Sequence, residues 1–232
     1  FRNIYKNKKV LVTGHTGFKG AWLTMWLLKL GANIVGISKD IPTSPSMFDE
    51  LKLKDKIKHY QEDVRDLSKM TKITTNEKPD FVFHLAAQAI VSTSYLSPIE
   101  TITSNVIGTT NILEALRESN HKCTAIIITS DKAYDNVEQV WGYKEDDKMG
   151  GKDIYSGSKG AAELIIKSYY HSFFKSDKSN IKIAIGRAGN VIGGGDWAND
   201  RILVDCMKAW SKGQIVEIRS PQATRPWQHV LE

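Results

Sequence analysis

The chain has 232 residues, 41% hydrophobic and 25% charged, and its Lys+Arg 32 against Asp+Glu 26 leave a formal net charge of +6. This is ordinary globular composition, with length for one large α/β domain or for one domain and part of another. The basic excess is spread along the chain, which suits an anionic small molecule and argues against nucleic acid; no apolar run approaches the roughly 20 residues of a membrane span.

The opening FRNIYKNKK has no apolar stretch and does not read as a signal peptide. Cys123 and Cys206 fit no metal spacing, so reduced buried thiols in a cytoplasmic protein, with no metal site, are expected. KVLVTG (9–14) reads as a strand. A helix is expected from Phe18 to Leu30, with Gly31 placed to close it. ANIVGIS (32–38) is a second strand and IKHYQED (57–63) a third, less apolar one. FVFHLAA (81–87) is a fourth, continuous enough to be buried on both faces.

Pro98 opens a long helical stretch to Asn120. TAIIITS (124–130) is a fifth strand, 153–175 a second long helix, and IKIAIGR (181–187) a sixth strand. This alternation predicts a Rossmann-like, doubly wound parallel sheet with helices on both faces over 1–188. Residues 189–232, glycine-rich and polar at first, read as the beginning of a smaller substrate domain, incomplete where the chain stops.

Gly14, Gly17 and Gly20 follow the first strand and open the first helix. Helix N-termini present free N–H groups and partial positive charge, and missing side chains let a pyrophosphate approach. The alternative is a glycine-rich turn with no ligand. Ligands of such sheets bind beyond the carboxyl ends of the strands. The candidate dinucleotide-binding residues are therefore Gly14, His15, Gly17, Phe18, Lys19 and Gly20, then Asp63 and Val64, then Leu85, Ala86 and Ala87, with Asn105. After the second strand Ser38 and Lys39 precede Asp40, which leaves NAD and NADP both open. Asp63 either approaches an adenine amino group or is a solvated turn carboxylate. Asn105 either bonds backbone at a helix kink and holds a water, or packs as a helix-interior amide. His84 reads as a satisfied core histidine.

Tyr155 and Lys159 are four apart on a helix and share a face. A neighbouring ammonium, with a positive nicotinamide ring, would lower the tyrosine pKa from about 10. Tyr5 and Lys9 repeat the spacing with nothing upstream. Only the Tyr155 pair follows a strand ending in Ser130, and Ser, Tyr and Lys together form a hydride-transfer site. Asp131 and Lys132 are either a solvated loop or an extra acid and base, which oxidation alone does not need and elimination of water does. Arg201 and Arg225, with the amide of Asn190, are either surface groups or a clamp for a diphosphate. Trp197 and Trp227 stand apart from the packing tryptophans in polar segments.

The motifs TGHTGFKG, FHLAAQ, NVIGTTNILEA, TSDKAYDN, YSGSKGAAEL, RAGNVIGGGDWANDR and ATRPWQHVLE together resemble the extended short-chain dehydrogenase/reductase family, and within it the CDP-glucose subgroup. The resemblance implies bound NAD, a CDP-glucose substrate and a homodimer paired through two long helices. It implies that Tyr155 takes the 4-hydroxyl proton, Lys159 holds the cofactor ribose, and Ser130 bonds the C4 ketone. Asp131 is then the acid at the 6-hydroxyl, and Lys132 stands where related enzymes carry a base. Gln88, Asn190, Asp196, Trp197, Arg201 and Arg225 join Ser130 as implied substrate contacts. Departures from the subgroup pattern include AIVSTSY without its arginine, Gly157 and Gly160 in a helix, and Val204 in place of a proline. A 4-epimerase or reductase of the same family and a non-catalytic nucleotide-binding module are the rival readings.

Overall fold

A computed structural model describes residues 2–218 and 220–232. Strands β1 (Lys9–Thr13), β2 (Asn33–Ser38), β3 (Lys58–Gln61), β4 (Phe81–His84), β5 (Cys123–Ser130) and β6 (Ile181–Ala188) form one sheet in the order β3-β2-β1-β4-β5-β6. Every pairing in it is parallel. That order is the doubly wound one, in which the chain reverses direction of growth between β1 and β4.

Successive strand residues point to opposite faces, so the central strands β1, β2 and β4 feed two cores. Leu11, Val35, Val82 and Ile127 meet Met70 and Ile73 of α3 (Leu67–Glu77) and Ile112, Leu113 and Leu116 of α6 (Gly108–Ser119). Val10, Val12 and Ile34 meet Leu27 of α1 (Phe18–Lys29) on the other face. The sheet is thus a two-sided apolar layer, and its polar business is confined to the strand ends.

Helix α3, unnamed in the sequence expectation, and three further stretches depart from it. A short helix α2 (Met47–Glu50) follows β2, capped by the Ser46 hydroxyl, which accepts from the Asp49 N–H. A further helix, α4 (Val91–Leu96), precedes Pro98 and stops before it, because a residue preceding proline is driven out of the helical region. The stretch after Pro98 is not one helix. It runs as α5 (Pro98–Ile102), a wide π turn (Thr103–Ile107) and α6. Thr101, Thr103, Thr109 and Thr110 all donate their hydroxyls to carbonyls one turn back, which bends a helix. The second long helix, α7 (Ile154–Tyr169), likewise ends in a π turn over Tyr170–Phe174.

Past β6, β7 (Asn190–Ile192) pairs in parallel with β8 (Trp227–His229), with α8 (Ile202–Ser211) between them in sequence. This small sheet leans on the glycine turn side of the molecule: the Trp22 indole donates to the Gly194 carbonyl at 2.8 Å.

Candidate active site

The first crossover is built around absent side chains. Gly14 has φ +73°, and a Cβ there would lie 2.8 Å from the Ala86 nitrogen. A Cβ on Gly20 would lie 2.1 Å from the Gly14 carbonyl oxygen, so only glycine lets α1 seat on the turn. Gly17 is different. It N-caps α1 with ordinary extended backbone, no side chain caps the helix, and a Cβ would meet only the Gly14 oxygen at 3.4 Å. No side chain takes the first N–H groups of α1, an arrangement suited to a diphosphate.

The end of β4 is tied to this turn. Thr13 Oγ1 accepts from the backbone N–H of Leu85 at 3.2 Å and of Ala86 at 3.1 Å, and it bonds His84 Nδ1 at 2.7 Å. His84 Nε2 bonds Thr109, so this buried imidazole is satisfied within the core. The His15 ring is also buried. Its Nδ1 lies 3.2 Å from Ser38 Oγ and its Nε2 2.8 Å from His59 Nδ1, and it occupies the space over Gly36. Burial, reinforced by His59, lowers its pKa to about 4, so the ring is neutral near pH 7. His15 thus offers the glycine turn its backbone while its ring is engaged between β2 and β3.

Asp63 is gripped by Arg65 through Nε at 2.9 Å and Nη2 at 2.6 Å, which holds its carboxyl below the usual range. Val64 packs on Gly108, and its carbonyl accepts from Asn111. Lys39 pairs with Glu100 at 2.8 Å, and Asp40 is exposed.

At the far end of β5, Ser130 Oγ donates to Asp131 Oδ1 at 2.9 Å and accepts from the Lys132 N–H at 3.2 Å. α7 starts on an Asp153 cap that accepts from the Ser156 N–H at 2.9 Å. In its first turn Tyr155 is buried beside Ser130. The Lys159 ammonium stands 5.9 Å from the centre of the Tyr155 ring.

Burial raises the Tyr155 pKa and outweighs the opposing influence of the Ser130 hydroxyl and the Arg201 guanidinium. Lys159 is pushed down to about 8, first by burial and then by Lys19, with Glu163 opposing. Lys19 is lowered too, by burial and Arg201, while Asp131 and Asp196 pull the other way. Residues from the glycine turn, from the end of β5, from α7 and from the start of α8 therefore share one electrostatic neighbourhood.

The remaining candidates divide. Arg201 belongs to that neighbourhood and opens α8. Asp196 Oδ1 accepts from the Ala198 N–H, and Trp197 is partly exposed. Asn190 donates its N–H to the Pro226 carbonyl, and Arg225 is exposed and bonds the Thr224 carbonyl. Gln88 is spent on its own turn: its Nε2 donates to Ile90 O and Thr101 Oγ1, both at 2.9 Å, and its Oε1 accepts from the Ile90 N–H. Ala87 lies between this turn and Ala86. Of the departures, Gly160 has a tertiary reason, since a Cβ would come within 3.1 Å of the Gly150 carbonyl. Gly157 has none, its Cβ position being open.

Two groups were missed by the sequence reading. Ser158 meets Asn105, and Glu163 meets Arg187. Glu163 lies four residues past Lys159, so helical spacing was a signal for its face, but nothing in sequence pairs it with a strand 24 residues on.

The sequence model for GDP-mannose 4,6 dehydratase matches residues 11–232. The CDP-glucose 4,6-dehydratase of Salmonella typhimurium is 47% identical over 234 residues, covering 100% of this chain. The chain spans 65% of the length of that relative. Among solved structures, DesIV, the dTDP-glucose 4,6-dehydratase of Streptomyces venezuelae with NAD and TYD bound, matches with a TM-score of 0.82 at 18% identity. That match covers 96% of this chain and 68% of DesIV, and it is a likeness of fold. The UDP-glucuronic acid 4-epimerase of Bacillus cereus, in complex with UDP-glucuronic acid and NAD, matches with a TM-score of 0.80 at 25% identity, over 96% of this chain and 69% of that one.

Proposed function

Because this chain belongs to the GDP-mannose 4,6-dehydratase family, we propose that the whole protein is a hydro-lyase that uses NAD to convert CDP-D-glucose into CDP-4-keto-6-deoxy-D-glucose. The glycine cradle fits the cofactor: the open side of Gly17 and the uncapped start of α1 would hold its diphosphate. When bound, NAD supplies the two-electron oxidation at C4 and the matching reduction at C6, so the net change is loss of one water.

The chain's own groups do the rest. Tyr155 accepts the 4-hydroxyl proton, and Ser130 holds the same oxygen as it becomes a ketone. Lys159 bonds the cofactor ribose and favours the phenolate. The C4 ketone acidifies the C5 proton, for which Lys132 is the candidate base. Asp131 gives a proton to the departing 6-hydroxyl. Arg201, Arg225 and Asn190 take the nucleotide diphosphate.

The observation that carries the reading is the placing of Ser130 and Asp131, joined by a hydrogen bond at the end of β5, beside the buried Tyr155. A 4-epimerase or reductase would use the first two and leave Asp131 without a task. The test is incubation of the whole protein with NAD and CDP-glucose, with the product read by mass spectrometry and NMR. A 4-keto sugar lighter by one water is expected; unchanged substrate or a C4 epimer overturns the reading.

The reading includes a homodimer in the cytoplasm. Ile99, Ile107 and Leu164 stand exposed on the α5–α6 segment and on α7, as a helix-paired interface requires. No described helix is long and apolar enough to cross a membrane.

A further inference from the structure

Glu163 and Arg187 have no role in the chemistry above, yet they form an ion pair whose side chains are only 0% and 13% exposed. Glu163 lies on α7 one turn past Lys159 and two turns past Tyr155, so all three share a face. Its carboxylate accepts from Arg187 Nε at 2.8 Å, from Arg187 Nη2 at 2.6 Å and from Thr129 Oγ1 at 2.7 Å. Thr129 is the residue before Ser130. One carboxylate thus joins the strand that presents Ser130 to the helix that presents Tyr155.

The guanidinium reaches the other way. It lies 4.5 Å from the centre of the Tyr134 ring. Its Nη1 donates to the Glu145 carbonyl at 3.1 Å, and its Nη2 lies 3.8 Å from the Met149 sulfur. Tyr134 stacks on Tyr143 at 4.9 Å and bridges Met149 through the backbone. Arg187 therefore touches the 131–149 loop at three separated points, and that loop begins with Asp131 and Lys132. Stability alone is a weak account of such a pair, because a buried ion pair can often be replaced by apolar residues of equal volume without loss.

We propose that Arg187 is a positioning residue for the elimination step: anchored on Glu163, it clamps the 131–149 loop so that Asp131 and Lys132 stand against the sugar held by Ser130 and Tyr155. This rests on the dehydratase reading. Elimination breaks the C5–H and C6–O bonds, forms the C5=C6 double bond and releases water, with one proton taken from C5 and one given to the departing hydroxyl. Oxidation at C4 uses Ser130 and Tyr155, which the Thr129–Glu163 side of the unit holds. The two steps should therefore respond differently to loss of the clamp.

The test compares wild type, Arg187→Lys and Tyr134→Leu of the whole protein with NAD in single-turnover quenches on CDP-glucose. Borodeuteride reduction and mass spectrometry then distinguish 4-ketoglucose from the 4-keto-6-deoxy product. Lysine keeps the charge against Glu163 and loses the broad contact with the loop. Both variants should raise the ratio of 4-ketoglucose to dehydrated product about tenfold to a hundredfold, as a misplacement near 1 Å predicts, with little change in KM. Equal slowing of both steps, an unchanged ratio, or a rise in KM alone overturns the inference. Tyr134→Leu leaves the buried pair in place and decides the matter by itself if Arg187→Lys does not fold. A wild type that forms neither product would instead overturn the dehydratase reading.

Discussion

The side-chain nitrogen of Asn105 donates a 2.9 Å hydrogen bond to the hydroxyl of Ser158, 53 residues further along the chain. The same amide accepts from the Gln88 N–H at 2.8 Å and donates to the Gln88 carbonyl at 3.1 Å. Ser158 in turn donates to the Tyr155 carbonyl at 2.7 Å. Asn105 sits in the π turn, so the irregular helix, the loop after β4 and the first turn of α7 meet at one side chain. The partners of the amide are protein groups, which answers how the bent segment satisfies its polar atoms.

Replacing Asn105 with Ala leaves the half-buried Gln88 N–H and carbonyl without this partner. A loss of about 1–3 kcal/mol in unfolding free energy is expected, the usual cost of stranding such groups. Urea denaturation of Asn105→Ala against wild type measures it, and equal midpoints and slopes would remove the amide from the framework of the site.

The three glycines of the crossover should separate by phenotype. Gly20→Ala puts a methyl group 2.1 Å from a carbonyl oxygen, and Gly14→Ala forces a positive φ as well as a backbone clash. Both should cost several kcal/mol or prevent folding. Gly17→Ala should fold with nearly the wild-type Tm, because its backbone suits alanine and its Cβ meets one atom at 3.4 Å. Its NAD affinity, read by calorimetry, should fall at least about tenfold as the methyl group enters the diphosphate cradle. Wild-type affinity in Gly17→Ala would move the cofactor elsewhere.

Tyr155→Phe removes the buried hydroxyl beside Ser130 and little else. Turnover should drop by about 10²–10⁴, the range for loss of a positioned proton-transfer group. NAD affinity should stay within about threefold, well under 1.4 kcal/mol. A variant with near-normal turnover would exclude the phenol as the base.

Acid stability should depend on Glu77, which is 6% exposed and accepts from Lys58 at 2.5 Å, Tyr60 at 2.7 Å and Lys9 at 3.1 Å. Burial opposes its ionisation, but those three bonds prevail and set its pKa at about 2 against an ordinary 4.5. A depressed carboxyl stabilises the fold above its unfolded pKa and loses that contribution as pH falls through the folded value. The Tm gap between wild type and Glu77→Gln should therefore be full above about pH 5 and close progressively toward pH 2. A gap that is constant over this range would show that the charge of Glu77 is not what holds β1, β3 and α3 together.

Much of the molecule was legible in the sequence because its signals are local. A parallel strand buried on both faces is a short, unbroken apolar run, as at β1, β2 and β5, whereas the polar β3 gives a weaker signal. Gly14 and Gly20 announce a turn that no other residue could make, and the four-residue spacing of Tyr155 and Lys159 places both on one helical face. The remainder depended on which distant residues meet and how deeply they are buried. Only the folded chain puts the His15 ring against His59, turns the Gln88 amide into its own loop, and bends the helix after Pro98 around Asn105. Burial, which no residue carries in its own identity, is the largest influence raising the Tyr155 phenol. Glu163 and Arg187 are two ordinary surface-type residues in the sequence, and packing of α7 on the sheet makes them a buried pair behind Ser130.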